Sequence, residues 1–307
     1  MVWKVRYELI FLSLPKFQNS VMRVVNKIAE VKQFVSSQKK NGKTIGLVPT
    51  MGALHQGHIS LVKEASNQCD VVIVSIFVNP SQFNNIEDLQ RYPRNMEQDL
   101  TLLNKTGCEL VFAPEVKEVY PVPDERKFDF GSLEKVMEGF YRPGHFNGVA
   151  QIVSKLFDYV KPDKAYFGLK DFQQLAIIKE LKNQQNLKTE IVDCPIIREK
   201  DGLAMSSRNL LLTNEERKNA PVIAATLIES CNFVPEWSVK KVADHVVNHI
   251  NSVKGFEVEY FEIVNGNTLQ RVDKWSDSNY IVGCIAVYVG KVRLIDNIIY
   301  KNYRHEY

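Results

Sequence analysis

The chain is predicted to be an α/β protein, a parallel sheet flanked by helices, followed by a smaller α+β domain. Three observations carry that expectation. From about residue 21, helical and strand patterns alternate, as in a sheet assembled from strand–helix units. Residues 71–78 (VVIVSIFV) form a near-continuous β-branched run, the pattern of a parallel strand buried on both faces. After about Arg198 the alternation gives way to two helical patterns and then two strand-rich segments.

Taken in order, Val24, Ile28, Val31 and Phe34 recur at helical spacing and predict an opening helix. The apolar segment 44–48 is then the first strand, ending at Leu47-Val48, and Ile59, Leu61, Val62 and Ala65 mark a helix beginning at His55 and His58. The central strand stops at Asn79-Pro80, a turn signal. Met96, Leu100 and Leu103 mark the next helix, residues 110–113 the next strand, and 114–130 a loop-rich stretch. Val149, Ile152, Val153, Leu156 and Phe157 define a strong helix, and strands at 165–167 and 190–192 enclose a helix over 172–181. Beyond a loop with Asp201-Gly202, helices are predicted over 214–230 and around Val242, Val246, Ile250 and Val253, then strands at 256–264 and 280–289. The organisation expected is an N-terminal extension (1–20), a main domain (21–197) and a smaller domain (198–307).

Composition narrows the function classes. At 307 residues, with 45% hydrophobic and 24% charged residues, the chain matches a globular protein able to bury a sizeable core. A net charge of +3 gives no electrostatic case for a nucleic-acid partner, and no run reaches the ~18 apolar residues of a membrane span. Five scattered cysteines without a C-x-x-C pair fit free thiols in a reducing cytoplasm. Residues 1–14 are apolar but broken by Lys4, Arg6 and Glu8, and no small-residue cleavage site follows, unlike a secretory signal.

Three segments carry chemistry; the first two directly follow predicted strands, and the third lies in the Gly-containing loop between the two expected domains. Pro49-Thr50-Met51-Gly52-Ala53-Leu54-His55-Gln56-Gly57-His58 places two imidazoles at a strand-to-helix turn. There, unpaired backbone N–H groups and the helix dipole favour phosphate. Gly168-Leu169-Lys170-Asp171 follows the 165–167 strand and offers close backbone approach, a point charge and a carboxylate. Ala204-Met205-Ser206-Ser207-Arg208-Asn209 supplies hydroxyls and a guanidinium suited to a mobile phosphate clamp. Together they suggest a nucleoside triphosphate site at the carboxyl ends of the strands. Gln82 and Gln174 adjoin these segments, and Arg142-Pro143-Gly144-His145-Phe146 is a charged turn able to support the cleft. His245 and His249 stand at i,i+4 without the Glu of H-E-x-x-H or a third ligand, and read as polar-face residues rather than a zinc pair.

Held in this order, the segments resemble the pantothenate synthetase (pantoate–β-alanine ligase) family. The resemblance also rests on Phe77-Val78-Asn79-Pro80-Ser81-Gln82-Phe83, Arg91-Tyr92-Pro93-Arg94, Gln173-Gln174 and Arg293-Leu294-Ile295-Asp296-Asn297, and covers about residues 21–297. It implies a Rossmann-like nucleotidyltransferase domain of the H-I-G-H superfamily, a C-terminal lid and, as is usual there, a homodimer; the cytoplasm is the default setting from the N-terminal pattern and the cysteines. It implies ATP as substrate with Mg²⁺, and a pantoyl adenylate that β-alanine converts to pantothenate, with AMP and pyrophosphate released. The implied catalytic residues are His58, His55 and Lys170. The implied ATP-binding set is Met51, Gly52, Ala53, Leu54, His55, Gln56, Gly57 and His58; Gly168, Leu169, Lys170 and Asp171; Ile197; and Met205, Ser206, Ser207 and Arg208. Gln82 and Gln174 are implied for pantoate, with Gln82 also near β-alanine; no protein metal ligand is implied. Two other readings stand beside it: a different H-x-G-H nucleotidyltransferase, including a tRNA-dependent one, and a nucleotide-binding regulatory module without turnover.

Overall fold

The computed structural model describes residues 22–302; the extension assigned to residues 1–20 lies outside the described residues. The main domain runs β1 (Arg23–Val25), α1 (Ile28–Lys40), β2 (Ile45–Thr50), α2 (Gln56–Gln68), β3 (Val71–Ile76), α3 (Ile86–Arg91), α4 (Met96–Leu103), β4 (Leu110–Phe112) and α5 (Val116–Val119). It continues through α6 (Met137–Tyr141), α7 (His145–Val160), β5 (Lys164–Gly168), α8 (Phe172–Gln184) and β6 (Glu190–Cys194). The remainder comprises α9 (Asn214–Asn219), α10 (Val222–Ser230), α11 (Val239–Asn251), β7 (Phe256–Asn265), β8 (Tyr280–Val289) and β9 (Val292–Asn302).

All six strands of the first sheet are parallel, in the order β1-β4-β3-β2-β5-β6. Alternate strand residues feed opposite cores. Leu47, Ile73, Leu110 and Phe167 face α1, α7 and α8, while Val48, Val72, Val74 and Val111 face α2 and α4. That two-sided burial is why β3 reads as a near-continuous apolar run. The chain builds outward from β2 to β3 and β4, then crosses through α7 to β5 on the other side of β2. The switch point therefore lies between β2 and β5, where open α/β sheets leave a crevice at the carboxyl ends of the strands. Here β2 and β5 pair at Gly46↔Lys164 and Leu47↔Ala165 and form no pair beyond.

The smaller domain is a three-stranded antiparallel sheet, β7-β8-β9, backed by α10 and α11. Four expectations are corrected. Val24 lies in β1 rather than in the opening helix, which starts at Ile28, so the 44–48 segment is the second strand and extends to Thr50. The helix predicted over 214–230 is two, broken at Pro221, whose ring has no N–H to continue the ladder. A third strand, β9, closes the small sheet. Val253 falls beyond the end of α11.

Candidate active site

The three chemistry-bearing segments come after β2, β5 and β6, and the Gln82 turn after β3, so the sheet itself brings them to one edge. One cavity is lined by Met51, His55, Gly57, His58, Gly168, Lys170, Asp171, Ile197, Met205, Ser206, Ser207 and Arg208, together with Gln82 and Gln174. Five residues of the expected nucleotide set stand off its lining. Gly52, Ala53 and Leu54 are buried behind it, Gln56 is exposed, and Leu169 packs into the core.

The two histidines form a reciprocal cap on α2. His55 Nδ1 accepts from Gly57 N–H at 3.1 Å, and His58 Nδ1 accepts from His55 N–H at 3.3 Å. An Nδ1 that accepts carries no proton, so each neutral ring holds its hydrogen on Nε2. Burial first, and then the Lys170 charge, push His55 down to about 4. Burial, followed by the neighbouring His55 and Lys170, holds His58 well below the ordinary imidazole range. The rings, 4.1 Å apart between centroids, are thus two neutral N–H donors. The expected reservoir of unpaired backbone N–H groups is smaller than the sequence suggests, because those of His55 and Gly57 are taken by the imidazoles. Gly57 is required by this cap: a Cβ there would lie 2.8 Å from the His55 ring.

Lys170 comes 4.0 Å from Asp171. Its turn is held from the small domain by Asn297, whose Nδ2 donates to the carbonyls of Leu169 (2.8 Å) and Lys170 (3.1 Å). The serine segment is one arm of a hairpin in which Met205 N–H donates to the Ile197 carbonyl and Arg198 bridges Ala204. Arg198 also makes two contacts to Asp296, at 2.6 and 3.1 Å. Ser206 Oγ accepts from Arg208 N–H, Ser207 Oγ donates to the Ala53 carbonyl at 2.9 Å, and Arg208 pairs with Asp88 at 2.8 Å.

Gln82 is buried; its Nε2 donates to Met51 Sδ and its Oε1 accepts from Asn79. The Arg142 and His145 turn lies behind it. Arg142 Nη1 donates to His145 Nε2 (3.2 Å), and His145 Nδ1–H donates to the Gln82 carbonyl (2.8 Å). Burial, then the Arg142 charge, push His145 down to about 3, so this ring is neutral and structural.

Sequence reasoning missed two groups. Val149, Ile152 and Val153 of α7 and Tyr92 wall the cavity; their apolar spacing marked a helix but not which face met open space. Asp99 holds the turn before His55 and sits on α4, with nothing local to connect it to that turn. His245 sets its ring edge-on against Phe233 and Trp237, which stack on each other. Among the described residues, no group of three or more His, Cys, Asp or Glu side chains could hold a metal.

Fold and site together define a Rossmann-like α/β enzyme with an H-x-G-H cleft and a small C-terminal domain against it. A family model described as pantoate-beta-alanine ligase matches residues 23–299. The chain belongs to that ligase family, which joins pantoate to β-alanine. It is 56% identical over 281 residues to the pantothenate synthetase of Porphyromonas gingivalis, covering 92% of this chain and 100% of that one. The Bacteroides fragilis pantothenate synthetase is 55% identical over 280 residues, 91% of this chain and 99% of its own. Among solved structures, the pantothenate synthetase of Thermus thermophilus superposes with a TM-score of 0.86 at 39% identity, covering 91% of this chain and 100% of that one. The Francisella tularensis pantoate-beta-alanine ligase, complexed with beta-gamma ATP and β-alanine, gives 0.77 at 36% identity, with 91% and 98% covered.

Proposed function

We propose that this chain condenses (R)-pantoate with β-alanine in two steps within the cleft at the β2/β5 switch point. A pantoate carboxylate oxygen attacks the ATP α-phosphorus, the bond to the bridging oxygen breaks, and pyrophosphate leaves. The β-alanine amine, losing a proton, then attacks the acyl carbon of the pantoyl adenylate, and AMP departs with its oxygen. In-line displacement at phosphorus asks the protein chiefly for alignment and charge stabilisation. The observation that carries this reading is the pair of neutral imidazoles, both with Nε2–H donors, sharing one cavity with Lys170 and the tandem serines.

His55 and His58 donate to phosphate oxygens as charge moves toward the leaving group. A ring held well below the ordinary imidazole range does so as a neutral donor, not as an acid. Lys170 bridges phosphates, and Ser206, Ser207 and Arg208 take the β/γ end. That role needs Arg208 to exchange Asp88, and Ser207 to exchange the Ala53 carbonyl, for the nucleotide. Gln82 and Gln174 hold pantoate, and Gln82 stands nearest the incoming amine. Mg²⁺ fits as a companion of the nucleotide: it keeps most of its waters and binds through phosphates and one or two carboxylates, and Asp171 lines the cavity. The division near residue 198, closure of the small domain as a lid, a homodimer and a cytoplasmic setting belong to the same reading. All five cysteines are free, which supports a reducing compartment.

The test is a mass balance with ATP, pantoate and β-alanine, omitting each in turn. Pantothenate and AMP should form in equal amounts only in the complete mixture, and His58→Ala or Lys170→Ala should keep the fold and nearly abolish AMP. Loss of one positioned donor corresponds to roughly 2.7–4 kcal/mol of transition-state stabilisation. Pyrophosphate exchange into ATP with another acid, and none with pantoate, would transfer the chain to a different H-x-G-H chemistry.

A further inference from the structure

We infer that Asp99 is a positioning residue for the histidine turn, clamping the backbone of Ala53 and Leu54 so that the His55 and His58 donors face the cavity. Asp99 does not line the cavity; it is 2% exposed, on α4. Its Oδ2 accepts from Ala53 N–H at 3.0 Å and its Oδ1 from Leu54 N–H at 2.7 Å. Gly52 and Ala53 both have positive φ, +80° and +48°. In this turn the consecutive N–H groups of Ala53 and Leu54 point to one side, a concavity of the kind that binds anions. The anion in this one is a carboxylate of the protein itself.

Ala53 carries a Cβ, so its left-handed conformation persists only where the surroundings over-determine it. Here both its peptide groups are held: the N–H by Asp99, the carbonyl by Ser207 Oγ–H at 2.9 Å. His55, the N-cap of α2, is two residues further on, and its ring direction follows from where this turn leaves the chain. A buried carboxylate needs compensation; the two backbone donors supply part of it, while burial still pushes the Asp99 carboxyl above its ordinary range. An apolar residue would fill the same space on α4, so the charge is explained by what it holds.

This inference rests on the reading of His55 and His58 as the phosphate-facing donors. Asp99→Asn keeps the size but turns an NH₂ group toward one of the two backbone donors. Pantoate-dependent exchange of pyrophosphate into ATP should then lose kcat by about 100-fold, the cost of a misplacement of about 1 Å, with KM for ATP changed far less. Leu103→Ala, on the same helix but in the core, should lose stability and keep kcat. Histidine-ring ¹⁵N spectra give a readout apart from turnover: both rings Nε2-protonated in the wild type, mixed tautomers in Asp99→Asn. If Asp99→Asn does not accumulate folded, the same readings are made on Asp99→Ser, whose single short hydroxyl cannot hold the Ala53 and Leu54 N–H groups together. Wild-type kcat with unchanged ring tautomers in the variant, or an equal loss of kcat in Leu103→Ala, overturns the role of Asp99. Failure of the wild type to exchange overturns the underlying reading instead, and the ring spectra still decide Asp99.

Discussion

At the scale of single residues, the cleft keeps its imidazoles neutral. His55 titrates at about 4 instead of 6.5 because burial disfavours its charged form and Lys170 repels a second cation. Lys170→Ala removes the repulsion, so the His55 midpoint followed by NMR should rise toward its ordinary value. The sign for stability follows from the same shift. The unfolded chain takes up protons on these rings near 6.5, while the native protein refuses them until about 4 at His55 and about 3 at His145. Their contribution is therefore fully present above 6.5 and is lost as pH falls through that window. Urea midpoints should fall on acidification from about pH 7 to about pH 5, and His145→Asn should reduce the drop.

At the scale of elements, close approach sets the geometry around Gln82. At Gly148 on α7 an added Cβ would lie 2.3 Å from the Ser81 carbonyl, with Asn79 Nδ2 donating to the Gly148 carbonyl alongside. Gly148→Ala should force helix and turn apart, costing about 1–3 kcal/mol in a denaturation curve and raising KM for pantoate. This scale also shows what the sequence could and could not reveal. The β3 run, the α7 stripe and the order of the strand-end motifs were legible, because periodicity and local turn chemistry encode them. Strand β1 was not: three residues with an exposed Val24 mimic the first turn of a helix. Strand β9 was hidden because Asp296 and Asn297 interrupt its apolar pattern, and both are committed to holding site segments. Asp99 joins the histidine turn from 46 positions away and leaves no local signature.

At the scale of the whole molecule, a buried charge network joins the two sheets' domains. Arg293 on β9 donates to Glu138 of α6 and to Glu259 of β7, and Arg142 contacts Glu138 at 3.3 Å. Burial opposes ionisation of Glu138, yet the charges of Arg293 and Arg142 hold it down to about 2. Arg293→Ala would leave Glu259 without its arginine and Glu138 with Arg142 as its one arginine, and should cost about 3–5 kcal/mol, read as a lowered urea midpoint and faster proteolysis between the domains. A hydrophobic substitute for all partners together is the informative control, since a buried pair stabilises little against well-packed apolar groups.

The Asn297 amide that holds the Leu169 and Lys170 carbonyls has a temporal implication. During translation, the sheet proposed to cradle the triphosphate emerges long before the strand carrying Asn297. A nascent or prematurely terminated product would have the nucleotide fold with its lysine turn unsupported. Such a fragment should fold without turning over, so premature release yields an idle protein rather than one that consumes nucleotide.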